Sequence, residues 1–254
     1  MQYIKNKLST SKEEFFLDLK KEERILDCLL ESQKFQKEAY DDYILENEFG
    51  KIKLVYKNLA PFCFEIRDKL LKHQQFFYKN SPYKDPLARA LGLKKGKAKP
   101  IVFDATAGAL NDSMLIYSYG VKKLYLYERH PIVAMLIYNA LRSVTELAGY
   151  ENIEFVHADV GHADQTLPVF DVGYFDPMYE EKNLKTAPKK EMLVFRNLIK
   201  GDTDRVFVAN RLFEACQQRL VIKRSNKASP LLPDPDITIK AKSTSYDVYL
   251  KSTR

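Results

Sequence analysis

From residue 100 onward the chain alternates short apolar runs with amphipathic stretches. PIVFD (100–104) reads as a short buried strand closed by an Asp. NDSMLIYSYG follows as a helix stopped by Gly120, since glycine tolerates the left-handed conformation that ends helices. KKLYLYE (122–128) alternates with a period of two, like a strand. PIVAMLIYNALRSVTELAG opens with Pro131 in its first turn, and Val133, Leu136, Ile137, Ala140, Leu141, Val144 and Leu147 fall on one helical face. IEFVHAD (153–159) and DVGYFDP (171–177) are a third and a fourth strand. Helices are expected at about 188–200 and 203–218, with RLVIKR (219–224) as a fifth strand. DITIKAKS and SYDVYLKS make a final pair with no room for a helix between them.

Alternating strands and helices imply an α/β fold with a parallel sheet and right-handed crossovers. The closing strand pair breaks the alternation. The order resembles the class I methyltransferase variant of the Rossmann-like fold, a mostly parallel sheet whose last strand is antiparallel. Upstream, SKEEFFLDLKKEERILDCLLESQKFQKEA has helical spacing, and DYILENEFGKIKLVYKN reads as a β-hairpin turning near Asn47–Gly50. FCFEIRDKLLKHQQFFYKN passes from strand into helix. Between the two parts, LGLKKGKAKP (91–100) combines Gly, Lys and Pro as a linker does. Two regions are expected: a smaller N-terminal α+β region over 1–95, and the Rossmann-like domain over 96–254.

Charge sharpens this division. The net charge is +7 over 254 residues. Residues 51–99 carry 13 Lys and Arg against 3 Asp and Glu, whereas residues 1–50 are net acidic and 100–254 nearly neutral. Such a block fits either a polyanion partner, nucleic acid being the commonest, or a solvated lysine-rich face. No apolar run is long enough for a membrane helix, and the first residues lack a signal-peptide core, so a cytoplasmic location is expected. Cys28, Cys63 and Cys216 form no CxxC pair and read as small buried side chains, and the histidines form no HExxH motif. Neither a disulfide framework nor a metal site is expected.

In sheets of this kind ligands bind at the carboxyl ends of the strands, so the residues there carry the chemistry. The first strand ends in FDATAGALND. Asp104 and the small residues through Gly108 would let the backbone approach a nucleotide-like cofactor at a helix start, although Leu110 stands where a GxG loop wants glycine. The second strand ends at Glu128, 24 residues after Asp104, placed to accept from ribose hydroxyls. The alternative is a surface Glu paired with Arg129. After the third strand Asp159 either accepts from an exocyclic adenine amine or caps the next turn. The fourth strand ends in FDPMY. Enzymes that methylate exocyclic amines of bases often carry an Asp/Asn-Pro-x-aromatic motif here. Asp176 would orient the amine, Pro177 fix the turn, and Tyr179 stack on a base taken out of its helix.

These residues, in this order, resemble the bacterial small-subunit ribosomal RNA (guanine-N2)-methyltransferase J family. The likeness rests on RALG, DATAG, YERHP, VHA, YFDPMY, KKEMLVF and VIKR, and covers roughly 43–251. It implies an S-adenosylmethionine-dependent enzyme acting on a guanine amine near the 3′ end of 16S rRNA in the small ribosomal subunit. By position it puts cofactor contacts on Asn111 and Asp112, on Glu128 and Arg129, and on Asp159 and Val160. Asp176 would stand where cofactor and base meet. Leu110 replaces a family glycine, Asn111 an arginine, and Asp159–Val160 a pair of serines. The resemblance also gives the basic block a purpose. Its lysines, among them Lys94, Lys95, Lys97 and Lys99, and aromatics such as Phe76, Phe77, Tyr78 and Tyr83 suit RNA, although at least one of Phe76 and Phe77 is expected in the core. Lys189, Lys190, Lys223 and Arg224 are further phosphate candidates, but each taken alone reads rather as a surface charge. DPMY alone fits other amines (adenine N6, cytosine N4 or a protein glutamine) almost as well. A non-catalytic RNA-binding assembly factor on the same fold is the reading from another class.

Overall fold

The computed structural model describes residues 4–7, 43–48, 51–56, 61–145, 152–162, 164, 166–177 and 204–251. A small sheet comes first. β1 (Ile4–Lys7) pairs in parallel with β2 (Tyr43–Glu48), which pairs antiparallel with β3 (Lys51–Tyr56). The hairpin is as expected. The strand β1 is not, because IKNK carries no alternation to announce it. Next come α1 (Ile66–Lys79) and the short α2 (Pro86–Ala90), capped by Asp85, whose side chain accepts from Leu87 N.

The main sheet contains β4 (Ile101–Asp104), β5 (Lys123–Glu128), β6 (Ile153–His157), β7 (Val172–Phe175), β8 (Arg219–Ser225), β9 (Ile237–Lys240) and β10 (Thr244–Leu250). Their order is β6-β5-β4-β7-β8-β10-β9. The strands β4 to β8 run parallel, and β10 lies antiparallel to both β8 and β9. The chain works outward from β4 to one side, then returns to its other side with β7. At that switch point the loops leaving the two strands diverge and open a crevice. The helices are α3 (Asn111–Ser118), α4 (Pro131–Thr145) and α5 (Arg205–Ala215). The helix expected at 188–200 and the helical stretch before residue 40 lie outside the described residues. No helix among the described residues is long and apolar enough to cross a membrane.

Period-two alternation in the strands feeds two cores, one on each face of the sheet. Val102, Leu124, Val172, Tyr174 and Val221 face one; Phe103, Phe170, Phe175, Leu220 and Ile222 face the other, beneath α5. The first core continues without a break into the N-terminal region through Ile52, Leu54, Phe64, Ile66 and Leu70. Each such side chain contributes roughly 1.5–3 kcal/mol on full burial. The edge of β3 is also satisfied from across this junction, Ile52 N donating to Asn139 Oδ1 of α4 at 2.9 Å. For this reason α4 does not present a single apolar face. From Pro131 to Leu141 it is buried almost all round, packed between the sheet, β3 and α1. Val144 and Leu147 lie outside what is described of side chains.

The segment expected as a linker is anchored at its start, with Leu91 and Leu93 buried and Lys94 to Ala98 exposed. Phe77 packs on Tyr119 with ring centroids 5.3 Å apart, while Phe76 and Tyr78 are exposed. Cys216 is buried and Cys63 half-buried.

Candidate active site

The loops leaving β4, β5, β6 and β7 enclose a cavity of about 230 Å³. Asp104, Gly108, Asn111, Asp112, Glu128, Arg129, Asp159, Val160 and Asp176 all line it. Hydrogen bonds between neighbouring strand ends hold those loops: Ala105 N to Tyr174 O, Ala107 N to Tyr127 O and Ala158 N to Glu128 O, each 3.0–3.1 Å. Pro177 follows directly on Asp176. Tyr179, Lys189 and Lys190 lie outside the described residues.

The cofactor-type loop keeps its course despite Leu110. That residue adopts φ 59° and ψ 19°, the left-handed conformation a glycine takes readily. The cost for an L-residue is about 1–2 kcal/mol. Full burial of the Leu110 side chain in the core offsets it. Gly108 is also left-handed, at φ 48°. Leu110 leaves α3 without a side-chain cap, so the first N–H groups of the helix stay available at the cavity wall.

Glu128 is buried, with one carboxylate oxygen accepting from Gly108 N at 3.1 Å and the other from His130 N at 2.7 Å. It is not a surface residue paired with Arg129. Arg129 reaches Asp204 instead, at 3.1 Å, and stands 3.9 Å from Asp159. Asp159 accepts from Gly161 N at 2.8 Å, so it does cap the following turn while lining the cavity. A Cβ at Gly161 would displace the carboxylate ends of Asp204 and Asp159.

Asp104 is the most deeply buried carboxylate of the cavity lining. Burial pushes it up to about 7, against the pull of hydrogen bonds from Ser113 Oγ (2.7 Å) and Thr106 N (3.0 Å). The negative charges of Asp112 and Asp176 push it further the same way.

Asp176 sits at the end of β7 with two supports. Its N–H donates to Thr106 Oγ1 at 2.9 Å, tying this turn to the loop after β4. Its Oδ2 accepts from Lys223 Nζ at 2.8 Å. The same ammonium donates to Asp112 Oδ2 at 2.6 Å, and the Tyr174 hydroxyl donates to that oxygen too, also at 2.6 Å. Burial pulls Lys223 down, but Asp176 and Asp112 outweigh it and hold the ammonium above the ordinary lysine range. Lys223 therefore stays charged and joins two acidic residues from separate loops. This is neither the surface charge nor the phosphate contact that the sequence offers for Lys223. Nor does Arg224 serve one. It is buried in a two-pronged pair with Asp247, Nε to Oδ2 at 2.6 Å and Nη2 to Oδ1 at 3.2 Å.

The motif reading missed Thr106, Ser113 and Asp204, and named Lys223 without seeing its part in this cavity. Lys223 was findable once the strand order was assumed: Phe175 pairs with Ile222, so the next residues, Asp176 and Lys223, must be neighbours. Asp204 carries no such signal.

Six carboxylates and two cations line the cavity. That balance favours a cationic ligand, and the sulfonium of S-adenosylmethionine is one. Polar strand-end acceptors on a small-residue loop, beside an uncapped helix start, fit the nucleoside part.

Comparison with known proteins agrees. Residues 30–251 match the family described as "Putative SAM-dependent methyltransferase". The ribosomal RNA small subunit methyltransferase J of Pseudoalteromonas translucida is 37% identical over 177 residues, covering 65% of this chain and 68% of that protein. The protein of the same name from Shewanella piezotolerans is 35% identical over 232 residues, covering 86% and 83%. The crystal structure of a SAM-dependent methyltransferase from Neisseria gonorrhoeae superposes with a TM-score of 0.66 over 98% of this chain and 96% of that one; at 19% identity this speaks for the fold. The chain belongs to the ribosomal RNA small subunit methyltransferase J family of S-adenosylmethionine-dependent methyltransferases.

Proposed function

We propose that this protein methylates the exocyclic N2 amine of a guanosine in 16S rRNA of the small ribosomal subunit, in the cytoplasm. The observation that carries the reading is the placement of Asp176. It lines the same cavity as Glu128 and the Asp104–Gly108 loop, at the strand end where an amine acceptor must meet a methyl donor.

In this reading Glu128 holds the cofactor's ribose. Asp104 and Gly108 shape the loop around it, and Asn111, Asp112, Arg129, Asp159 and Val160 complete the wall. S-adenosylmethionine, when bound, supplies the electrophilic methyl group. The guanine is drawn out of its stack to reach it. Asp176 accepts a hydrogen bond from the N2 amine, aims its lone pair, and balances the positive charge that develops there. Pro177 fixes the turn and Tyr179 stacks on the base. Lys223 acts as a positioning residue whose ammonium holds the Asp176 carboxylate turned one way. Most of the rate then comes from alignment. The region 1–95 contributes RNA contacts through its basic block, and 96–254 carries transfer.

The test is methyl transfer from labelled S-adenosylmethionine to naked 16S rRNA and to small subunits from cells lacking this protein, with nucleoside analysis. N2-methylguanosine in the product, lost in Asp176→Ala while S-adenosylhomocysteine still binds, is the expected result. Label in another nucleoside would move the reading to that amine. No label on either RNA, with cofactor bound, would reject an RNA substrate.

A further inference from the structure

At the opposite end of β8 from Lys223 lies a second cavity, of about 640 Å³. Four cations line it, Arg89, Lys94, Lys95 and Arg219, together with Tyr83 and apolar side chains from β9 and β10. No carboxylate lines it among the described residues.

Arg219 is the unusual member. It is half-buried, and its Nε is buried with no hydrogen-bond partner among the described residues. The guanidinium's hydrogen bond there is a long one, Nη1 to Ala90 O at 3.5 Å. No carboxylate pairs with it among the described residues, and burial lowers its pKa. The chain nevertheless makes room for it. Gly92 stands at φ 78°, and the guanidinium carbon lies 2.6 Å from where a Cβ would be. A partly desolvated cation without a counter-charge is costly, and an unsatisfied buried donor adds to the cost. The turn at 90–92 nevertheless lies directly against that group, Ala90 O accepting from it. No group among the described residues supplies the counter-charge.

We propose that this groove is a second RNA-binding site, which takes a backbone phosphate of the substrate strand on Arg219 with Arg89, Lys94 and Lys95 around it. The guanidinium fork matches two phosphate oxygens, and the lysines add point charges. The apolar side chains suit a ribose or an unstacked base. Four residues of strand separate Arg219 from Lys223, roughly 13 Å, so one folded RNA can engage both cavities.

This rests on the RNA-methylating reading, and the two can fail separately. The experiment is steady-state methylation of naked 16S rRNA and of small subunits by the full chain, across a salt series. Arg219→Gln is compared with the triple variant Arg89→Gln, Lys94→Gln and Lys95→Gln, whose three positions are exposed. The RNA KM should rise about tenfold or more in either variant, and kcat should stay within about twofold. The salt dependence should flatten by nearly one power for each phosphate no longer neutralised. S-adenosylhomocysteine affinity should not move. Unchanged KM and slope in the triple variant overturn the groove, even where Arg219→Gln fails to fold. A KM effect seen on assembled subunits and absent on naked rRNA also overturns it, in favour of a ribosomal protein partner. Failure of the wild-type chain to methylate any RNA strikes the functional reading instead.

Discussion

Lys223 and Arg219 stand four residues apart on the same face of β8, and their surroundings treat them oppositely. Lys223 has two carboxylates within 2.8 Å; Arg219 has none among the described residues. Between them in character is Arg224, on the other face, matched one-to-one by buried Asp247. Where a cation is over-compensated, its role is to fix two acidic side chains that must not drift. Where it is matched, its role is structural. Where no described residue matches it at a cavity wall, the place is open to the phosphate proposed above. Position along one strand thus separates positioning, folding and recognition.

Breaking the over-compensated pair should have the largest effect on the rate. Lys223→Met leaves Asp112 and Asp176 facing each other without a cation. Repulsion should swing Asp176 off line, and a misplacement of about 1 Å costs on the order of a hundredfold in rate. The expected result is a kcat fall of that size with S-adenosylhomocysteine affinity changed by less than about threefold, and substantial rescue by Lys223→Arg. Equal activity in Lys223→Met would show that Asp176 needs no such support.

Arg224→Met should act on stability alone. It strands the buried Asp247 carboxylate, and removal of one partner from a buried pair costs about 3–5 kcal/mol. Denaturant unfolding should show that loss. Activity per folded molecule should persist, and Arg224→Met with Asp247→Leu should recover much of the stability. A catalytic defect in folded Arg224→Met would erase the distinction between the two neighbours on β8.

Much of this was legible in the chain. The sheet and its closing antiparallel pair follow from alternation, because strand ends there coincide with turn residues and with acids such as Asp104, Glu128 and Asp176. Asp104, Glu128, Asp159 and Asp176 were legible for the same reason, one per strand end in an order that the topology brings together, whereas Asn111, Asp112, Arg129 and Val160 came from the family resemblance alone. What was not legible depends on partners distant in sequence. Lys223 looked like a surface charge or a phosphate contact because its partners are 47 and 111 residues away. Lys99 looked like an RNA-facing lysine, yet its ammonium donates to Tyr83 and to the Tyr119 carbonyl. Leu110 looked like a broken cofactor loop. Only its backbone angles and full burial show that a leucine holds the glycine conformation there.

The acidic end of the comparison can be sharpened by pH, with the smallest of these effects. Asp104 titrates near 7 because it is buried, with Asp112 and Asp176 adding negative charge and Glu128 and Lys223 lining the same cavity. Its folded pKa lies above its ordinary value. Its contribution to the stability of the unliganded protein is therefore fully present at acid pH and is lost as pH rises through about 7. Ligand binding should run the other way. Ionised Asp104 attracts the sulfonium of S-adenosylmethionine and not the uncharged sulfur of S-adenosylhomocysteine. The affinity ratio of the two ligands, measured by calorimetry, should rise about three- to tenfold between about pH 6 and about pH 8, an effect of roughly 1 kcal/mol for charges several ångströms apart in a partly solvated site. Asp104→Asn should flatten it. A ratio that stays flat in the wild-type chain would mean that Asp104 does not sense the ligand's charge. A slope that survives in Asp104→Asn would assign the titration to another carboxylate of the cavity.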